Sequence, residues 1–400
     1  MEKKPKPETG YKTLKDFGSL KGKKILLRVD INSSIINGKP EAGERMSAHA
    51  QTIKWLCGEG ASVVVLAHQG RPGEGLLSLE KHAKLLNEMV KIGFVNDTIG
   101  DKAIGALRRL KPGEALMLEN VRMLKEEFRP FEHNALISTL GPFFDLFVLD
   151  ALSVAHRNEA SVTGFAERLP HCMGPVMARE VDNIENVSVR TKKPFTVIFG
   201  GLKLDDYFGV FESMMKKGDV TKVLTSGAMG QLFIMARGSR LGVTEKFMEK
   251  KGLLKLLPEV KKIDRKYRKK IEVPIDVAVE AGGKRVDVEV KALPSNYDIY
   301  DIGPKTAELY AGIIKKSKTI FLKGVPGAYE KPGFGEGTRK VMAAIASSDG
   351  FSLIGGGESS TALDYFRINK KRIGYVSLSG GALLKLMAGD RLPGIEVMRK

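Results

Sequence analysis

Short apolar runs, each followed by a polar or glycine-rich tip and then by a stretch of helical periodicity, recur along nearly the whole chain. Four runs lie in the first half, at Ile25–Val29, Ser62–Ala67, Ala115–Leu118 and Phe147–Leu149. Five lie in the second half, at Thr196–Phe199, Lys222–Thr225, Thr319–Leu322, Phe351–Ile354 and Ile373–Val376. Runs that are apolar throughout are typical of strands buried on both faces, and their alternation with helices predicts an α/β fold with parallel sheets.

Helices are predicted between the runs, and one of them divides the chain. The segments with helical periodicity are Ser47–Gly58, Leu79–Lys91, Asp101–Leu110, Asp206–Lys217, Thr306–Lys316, Gly337–Ser347 and Ala382–Met387. A charged segment, Met177–Lys193, separates the two sets of strands without any low-complexity sequence. A chain of 400 residues is long enough for two to three domains, so we interpret this segment as an interdomain helix between two α/β domains.

Ligands of open α/β sheets bind outside the carboxyl ends of the strands, so the residues after each run indicate the function. In the first half these tips carry charged and amide side chains: Asp30, Asn32, Arg45, His68, Arg71, Glu119, Asn120, Arg122, Asp150, His156 and Arg157. Surface salt bridges would explain any one of the arginines. Four arginines at successive tips instead favour a site for a small, strongly anionic molecule, because a guanidinium holds phosphate or carboxylate oxygens in pairs.

The second-half tips are rich in glycine instead. They read FGGLK with Gly200, Gly201 and Lys203, TSG with Ser226 and Gly227, KGVPGAYE with Gly324 and Gly327, IGGGESST with Gly355, Gly356 and Gly357, and SLSGGA with Gly380 and Gly381. Glycines let backbone N–H groups approach phosphates, and the next helix N-terminus supplies further donors. This half is predicted to bind a nucleotide, although GxxxxGK[ST], GxGxxG and the protein-kinase motifs are all absent from the sequence.

The net charge of +18 by itself is compatible with nucleic acid, an anionic membrane or an anionic small substrate. The densest basic stretch, Lys261–Lys270, contains one tyrosine and no nucleic-acid-binding motif, so a solvated helix face is favoured. The N-terminal residues are polar, and no stretch approaches the roughly 20 apolar residues of a membrane span. We therefore expect a cytoplasmic protein with no nucleic-acid or membrane partner. Its two cysteines, Cys57 and Cys172, are expected to be reduced.

Taken in order, several segments resemble the signature segments of the phosphoglycerate kinase family. They are LLRVDIN, AHQGRP, LMLENVR, DALSVAHR, FGGLKLDD, DIGPKTAELY, GVPGAYE with GFGEGT, IGGGESST and VSLSGGALLKLMAGDRLPGI. The resemblance covers nearly the whole chain, and the tip FGGLK and the stretch Val286–Val290 are most similar to the archaeal branch.

The resemblance implies two Rossmann-like domains with parallel sheets, joined by an interdomain helix and a hinge that closes. It implies an acid-binding domain over residues 1–176, the interdomain helix over 177–193 and a nucleotide-binding domain over 194–379, with the tail from about 380 to 400 packing back on the first domain. It also implies reversible phosphoryl transfer, in glycolysis and gluconeogenesis, between 1,3-bisphosphoglycerate with ADP and 3-phosphoglycerate with ATP. The implied cofactor is Mg²⁺, and the implied assembly is a monomer, with a dimer as the alternative.

The resemblance also assigns individual residues. Phosphoglycerate is expected at Asp30, Asn32, Arg45, His68, Arg71, Arg122 and Arg157, with Arg45 also reaching the transferring phosphoryl group. The nucleotide is expected at Gly200, Gly201, Lys203, Gly227, Gly324, Glu330, Gly355, Gly356, Gly357, Glu358 and Ser359. Lys203 would contact the transferring phosphate, Glu358 would lie near the metal, and the backbones of Gly380 and Gly381 would donate to the moving phosphoryl group.

The chain departs from the common family pattern at four positions. Glu358 replaces an aspartate, Lys323 an asparagine, Tyr207 a second lysine and Ser379 a glycine. All four lie on the nucleotide side, so they bear on nucleotide preference and rate. Two alternatives to an active kinase follow. One is a relative with weak or no transfer activity that binds a ligand, and the other is a basic nucleic-acid-binding protein.

Overall fold

The computed structural model describes residues 10–73, 75–129, 133–202, 204 and 207–399. The chain divides into two compact units. The first takes in the chain up to Asp182 and from Arg391 onward, and the second is Asn183–Asp390. Among the described residues, no helix combines the length and apolar composition that a bilayer crossing needs.

The first unit is built around one parallel sheet of six strands. The strands of the whole unit are β1 (Lys24–Arg28), β2 (Ile35–Ile36), β3 (Lys39–Pro40), β4 (Ser62–Leu66), β5 (Gly70–Arg71), β6 (Gly75–Leu76), β7 (Gly93–Val95), β8 (Ala115–Leu118), β9 (Leu146–Leu149) and β10 (His171–Met173). Of these, β2 pairs with β3 and β5 with β6 in two small hairpins outside the six-stranded sheet. Its helices are α1 (Glu44–Gly58), α2 (Glu80–Asn87), α3 (Asp101–Arg109), α4 (Ala135–Leu140) and α5 (Pro175–Ser188), of which α5 crosses into the second unit. The sheet order is β10-β9-β1-β4-β8-β7, so the chain leaves β1 first toward one edge and later toward the other.

The second unit repeats this plan with a different strand order. Its strands are β11 (Phe195–Phe199), β12 (Lys222–Thr225), β13 (Ile271–Glu272), β14 (Asp276–Ala281), β15 (Lys284–Glu289), β16 (Ile299–Ile302), β17 (Thr319–Lys323), β18 (Phe351–Gly355) and β19 (Tyr375–Ser377). Its helices are α6 (Tyr207–Lys217), α7 (Gly227–Ala236), α8 (Thr244–Lys250), α9 (Leu257–Tyr267), α10 (Pro304–Lys315), α11 (Glu336–Ser347), α12 (Gly357–Tyr365) and α13 (Gly381–Ala388). The parallel sheet runs β13-β12-β11-β17-β18-β19, and the switch between β11 and β17 is where such sheets form a ligand crevice.

The α/β fold with two parallel sheets is confirmed, and all nine predicted runs are strands within about two residues of their expected ends. In the first unit, Ile25, Leu27, Val63 and Val65 on β1 and β4 are buried in one apolar cluster with Ile53 of α1. Because both faces of the sheet are covered, the strands are apolar along their whole length, and this is why the sequence predicted them.

A second, antiparallel sheet in the second unit was not predicted. Its order is β15-β14-β16, and β14 and β15 are joined through Gly282 and Gly283, both with positive φ, as a two-residue hairpin requires. The residues of β15 are exposed or only partly buried and include four charged side chains, so they lack the buried-run signal. The short strands β7, β10 and β13 were missed as well.

Two helices begin by the same device, in which an aspartate accepts from the free N–H groups of the first turn. Asp150 accepts from Val176 and Met177 of α5 at 2.7 and 3.1 Å, and Asp276 accepts from Lys305 and Thr306 of α10 at 2.9 and 2.7 Å. A Cβ on Gly174 or Gly303 would lie 2.3 or 2.2 Å from these carboxylates. The Gly-Pro pairs therefore stand where a distant carboxylate caps a helix.

The predicted interdomain helix is shorter than expected, since α5 ends at Ser188 rather than near Lys193. Pro194 disfavours helical geometry at the residue before it, and the N–H of Lys192 donates to Oγ1 of Thr319 at 2.9 Å instead.

The tail that joins the first unit starts at Arg391, later than the expected start at about 380. The difference arises because α13 belongs to the second unit. There the hydroxyl of Ser213 on α6 donates to the carbonyl of Ala388 at the end of α13. The chain ends in α14 (Pro393–Glu396), and Gly394 N–H donates to Ala155 O at 2.8 Å in the first unit.

Candidate functional site

The tip of β1 is organised around Asp30. Its Oδ1 accepts from the N–H of Asn32 at 2.9 Å, its Oδ2 lies 2.9 Å from Nη1 of Arg45, and the hydroxyl of Ser153 also donates to Oδ2. Although burial by itself raises the pKa of this carboxyl, the charge of Arg45, the nearby His68 and the Ser153 hydrogen bond hold the pKa of Asp30 well below its usual range. Asp30 is therefore an ionised anchor that orients Arg45.

The tip of β4 is tied to the tip of β1. Oδ1 of Asn32 accepts from the N–H of Gly70 at 3.0 Å, and Nη1 of Arg45 donates to the carbonyl of Asn32 at 3.2 Å. Gly70 has a positive φ, and a Cβ there would lie 2.2 Å from the carbonyl of Gly75 in the hairpin β5–β6. This hairpin carries Arg71, whose side chain is exposed.

His68, also at the tip of β4, contacts a fully buried arginine that the sequence analysis did not select. Nη2 of Arg28 lies 3.1 Å from Nδ1 of His68. Burial lowers the pKa of His68 well below its usual value, and the charges of Arg28, Arg122 and Arg157 act in the same direction against Asp30. His68 is therefore neutral in this cluster of cations.

Arg122 and Arg157 share one carboxylate. Nη2 of Arg122 and Nη1 of Arg157 each lie 3.2 Å from Oε1 of Glu159, and Nη1 of Arg122 donates to Gly70 O at 2.9 Å. The Nε atoms of both arginines are buried and have no hydrogen-bond partner among the described residues. Two guanidinium groups against one carboxylate leave positive charge and two unused N–H donors, which an anionic ligand would satisfy.

Three other first-half tip residues are used within the fold. Glu119 accepts from the Ser78 hydroxyl at 2.6 Å and from Leu79 N–H at 2.7 Å, so it caps α2. The amide of Asn120 donates to the carbonyls of Gln69 and Leu77 at 2.8 and 2.9 Å. Asp150 caps α5, as described above. Nothing in the sequence separates these residues from the anion cluster, because all of them follow strands.

In the second unit, the tips of β11 and β17 pack backbone against backbone. A Cβ on Gly200 would lie 2.5 Å from Val325 O, and one on Gly324, where φ is +77°, would lie 2.2 Å from Gly200 O. The N–H groups of Gly200, Gly201 and Gly227 donate to the carbonyls of Lys323, Val325 and Pro326 at 2.9, 2.8 and 3.1 Å. These amides already have partners, so the glycines permit close loop packing and shape the floor of the crevice.

The tips of β18 and β19 are open. Gly357 and Gly381 are the first residues of α12 and α13, and no atom lies within 4 Å of a Cβ placed on Gly357, Gly380 or Gly381. Gly355 is buried at the end of β18. Gly356 precedes α12 and has a φ of +100°, and a Cβ placed on Gly356 would lie 2.7 Å from the Nζ of Lys323. Both helices therefore present first-turn N–H groups at the sheet edge, the arrangement that binds phosphate.

The first turn of α12 also carries the two expected side chains. Oε2 of Glu358 lies 3.6 Å from the ideal Cβ position of Gly201, which places it over the β11 tip. Ser359 is buried, and its hydroxyl has no hydrogen-bond partner among the described residues. Lys203 and the neighbouring Asp205 and Asp206 lie outside the described residues.

Glu330 is exposed beside Tyr329, which is packed against Tyr365 and Phe366 with ring centroids 5.3 and 5.9 Å away. Burial raises the pKa of Tyr329 to about 12, and the carboxylates of Glu330 and Glu358 near its hydroxyl act in the same direction. Tyr329 therefore lies close to both carboxylates and stays protonated.

A cleft that the sequence analysis missed lies beside Gly227. It is a small cleft, partly open to solvent, between α7, β14 and β16, with Ile234, Val277 and Ile299 among its apolar walls. Asp301 also lines it, and burial raises the pKa of Asp301 to about 6 although Arg285 and the N–H of Gly337 oppose the shift. No motif signals this cleft, because its walls come from separate elements with ordinary apolar sequence.

The described residues contain no cluster of three or more histidine, cysteine, aspartate or glutamate side chains suited to a metal ion. Glu358 lies in the first turn of α12, at a helix N-terminus. This fits Mg²⁺, which proteins commonly hold through one or two carboxylates together with substrate phosphates and water.

Comparison with known proteins gives consistent matches over nearly the full length. A family model described as phosphoglycerate kinase matches residues 14–390. The phosphoglycerate kinase of Methanopyrus kandleri is 40% identical over 394 residues, covering 96% of this chain and 97% of that protein. That of Methanothermobacter thermautotrophicus is 38% identical over 401 residues, covering 98% and 97%.

Solved structures are similar in fold as well, and two of them illustrate this. The phosphoglycerate kinase of Pyrococcus horikoshii OT3 superposes with a TM-score of 0.89 at 34% identity, covering 96% of this chain and 98% of that one. The phosphoglycerate kinase of Coxiella burnetii gives a TM-score of 0.83 at 30% identity, covering 97% and 98%.

Proposed function

The chain belongs to the phosphoglycerate kinase family and is a phosphotransferase that acts on a carboxyl group, and from this premise we propose which residues hold each substrate. Phosphoryl transfer runs between 1,3-bisphosphoglycerate with ADP and 3-phosphoglycerate with ATP. The alternative of an inactive relative is not favoured, since the matching curated proteins are named for the enzyme.

The acid binds to the first unit. The observation that carries this assignment is the pair of buried Nε donors on Arg122 and Arg157, for which the described residues supply no hydrogen-bond partner. Asp30 and Asn32 hold the tips of β1 and β4 together, and Arg71 on the hairpin adds an exposed cation. His68 contributes a neutral N–H donor, so the phosphate and carboxylate of 3-phosphoglycerate meet both cations and an uncharged donor.

The nucleotide binds to the second unit at the switch between β11 and β17. Its phosphates lie at the first turns of α12 and α13, where Gly356, Gly357, Gly380 and Gly381 offer backbone donors. The hydroxyl of Ser359, which no described residue engages, adds another donor. The base occupies the apolar cleft beside Gly227, and Glu330 is available to the ribose hydroxyls. Gly200, Gly201, Gly324 and Gly355 shape the floor, and Lys203 is assigned to the transferring phosphate.

Transfer needs no general base, because the accepting carboxylate is already ionised at neutral pH. Catalysis then consists of alignment and neutralisation of the charge on the moving phosphoryl group. Arg45, held by Asp30, and the amides of Gly380 and Gly381 perform this neutralisation, together with Lys203. Glu358 would hold Mg²⁺, which when bound supplies charge neutralisation on the nucleotide phosphates.

We place the enzyme in the cytoplasm as a monomer, with a dimer as the second possibility for size-exclusion chromatography with light scattering to decide. The acid-binding domain corresponds to the first unit, and the nucleotide-binding domain to the second. The basic face of α9 is assigned no nucleic-acid role.

The test is a coupled assay of 3-phosphoglycerate phosphorylation with MgATP, run with an EDTA control and with Arg122→Gln. Calorimetry with 3-phosphoglycerate on the same two proteins separates binding from turnover. We expect magnesium-dependent turnover in the wild type and weak 3-phosphoglycerate binding in the variant. Wild-type turnover with unchanged binding by Arg122→Gln would contradict the site assignment, and the absence of turnover at any magnesium concentration would contradict the function.

A further inference from the structure

Arg28, the last residue of β1, is fully buried, and each of its three guanidinium nitrogens contacts a group of the protein. Its Nε donates to the hydroxyl of Ser161 at 2.8 Å, its Nη1 donates to the carbonyl of Val29, and its Nη2 contacts Nδ1 of His68 at 3.1 Å. No carboxylate touches the guanidinium directly among the residues that the structure describes. Burying a guanidinium costs free energy unless its charge and its N–H groups are compensated, so the groups around Arg28 must supply this compensation.

The compensating negative charge is that of Glu127, which the hydroxyl of Ser161 connects to Arg28. Glu127 is also fully buried, and its Oε1 and Oε2 accept from the hydroxyl and the backbone N–H of Ser161 at 2.6 and 2.9 Å. When it is ionised, a carboxylate can only accept. Ser161 must then give its single hydroxyl proton to Glu127, which leaves the oxygen lone pair for Nε–H of Arg28.

The donors of Arg28 also determine the tautomer of His68. Arginine has no acceptor, so the contact with Nη2 requires Nδ1 of His68 to accept, and the ring proton resides on Nε2. Burial and the positive charge of Arg28 also keep the ring neutral. Arg28 therefore donates on both sides, to Nδ1 of His68 and to the hydroxyl of Ser161, and Ser161 in turn donates to Glu127.

We propose that Glu127, Ser161 and Arg28 are positioning residues that hold His68 in the neutral tautomer protonated at Nε2, so that it presents an uncharged N–H donor to the bound acid. This inference rests on the proposed role of His68 in binding 3-phosphoglycerate. None of the three residues is assigned a contact with substrate. They act through His68, and the effect is to keep this donor in place above about pH 7, where Glu127 is ionised.

The other groups around Glu127 agree with this arrangement. Facing it from other elements are the cation Arg28 on β1 and the carboxylate Glu159, which Arg122 and Arg157 already hold. Burial raises the pKa of Glu127 to about 7, with Arg28 and the Ser161 hydrogen bonds lowering it and Glu159 raising it. Arg28 is thus the group that keeps Glu127 ionised in the upper part of the neutral range.

The direct test is the ring-nitrogen NMR spectrum of the six histidines in the full-length unliganded protein, with His68 assigned through His68→Asn. In the wild type we expect His68 to show a protonated Nε2, an unprotonated Nδ1 and no titration between pH 6 and 8. In Ser161→Ala and Glu127→Gln we expect a mixed tautomer population or a titration that enters this range. The KM for 3-phosphoglycerate should rise about fivefold, the factor for one weakened hydrogen bond, while kcat changes less than twofold.

Ser78→Ala is the matched control, because it removes a serine hydroxyl that donates to another buried carboxylate, Glu119, at the same 2.6 Å. It should leave the His68 spectrum and the KM unchanged. A wild-type His68 protonated at Nδ1, or a spectrum that Ser161→Ala and Glu127→Gln leave unchanged, would overturn the inference. If the expected spectrum is found but calorimetry detects no 3-phosphoglycerate binding, the proposed function fails instead.

Discussion

Nη1 of Arg45 lies 2.9 Å from Oδ2 of Asp30, so the arginine assigned to the transferring phosphoryl group is anchored to a buried carboxylate at the acid site. Anchoring limits the conformations of a long side chain that is still about 30% exposed. A guanidinium fixed in this way can meet the ligand at little cost in side-chain entropy.

Arg45→Ala should lower kcat by at least about 100-fold, the scale for losing one electrostatic stabiliser of a transition state. The measurement is steady-state kinetics at saturating 3-phosphoglycerate and MgATP. Arg240→Ala is the control, since Arg240 is an exposed arginine that pairs with Glu245 at 2.7 Å outside the site. Comparable turnover in both variants would remove Arg45 from the catalytic set.

Gly200→Ala should destabilise the second unit by about 1–3 kcal/mol, because its Cβ would overlap Val325 O in a packed loop crossing. Gly312→Ala, inside α10 with no atom within 4 Å of the added Cβ, should instead stabilise the fold by about 0.5–1 kcal/mol. Chemical denaturation of the two variants measures both signs. Equal stability of the two would mean that Gly200 is not required for backbone packing.

Gly357→Pro removes one first-turn N–H of α12 at a position where proline is accepted, since the preceding Gly356 has an extended ψ of 150°. If that amide binds a nucleotide phosphate, the KM for ATP should rise about tenfold, as expected for one hydrogen bond to a charged group. Gly357→Ala keeps the N–H, has open space for its Cβ, and should leave the KM near wild type. An unchanged KM in the proline variant would place the phosphates elsewhere.

Glu358→Gln should raise the Mg²⁺ concentration needed for half-maximal activity several-fold, because the variant loses the carboxylate that we assign to the metal. Glu336→Gln is the matched control, as Glu336 is an exposed acidic residue in the first turn of α11. Activity titrated against free Mg²⁺ at fixed ATP separates the two. Parallel titration curves would exclude Glu358 as the metal-binding carboxylate.

Burial raises the pKa of Glu127 from 4.5 to about 7, so the folded protein holds a proton between these values that the unfolded chain has released. The contribution to stability is full below about pH 4.5 and is lost as the pH rises through 7. Relative to Glu127→Gln, the wild type should lose on the order of 2 kcal/mol of unfolding free energy between pH 5 and pH 8. Thermal unfolding with Glu126→Gln as control tests this, and parallel pH profiles would contradict the raised pKa.

The amino-acid sequence by itself determined nine of the twelve strands of the two parallel sheets, most of the helices that cover them and the chemical character of the strand tips. Buried parallel strands must be apolar along their whole length, so runs such as Ser62–Ala67 are visible without any contact information. The cationic tips from Arg45 to Arg157 and the glycine tips from Gly200 to Gly381 likewise predicted an anion-binding half and a nucleotide-binding half, because these tips follow strands.

Only the tertiary structure decided what each tip residue does. Asp30 and Asp150 both follow strands, yet one anchors Arg45 and the other caps α5, since the partner that each meets comes from a distant segment. Gly200 and Gly357 are both tip glycines, but only Gly200 is pressed against another loop. The tautomer of His68 depends on Glu127 and Ser161, more than 50 residues along the chain, through contacts that local periodicity does not encode.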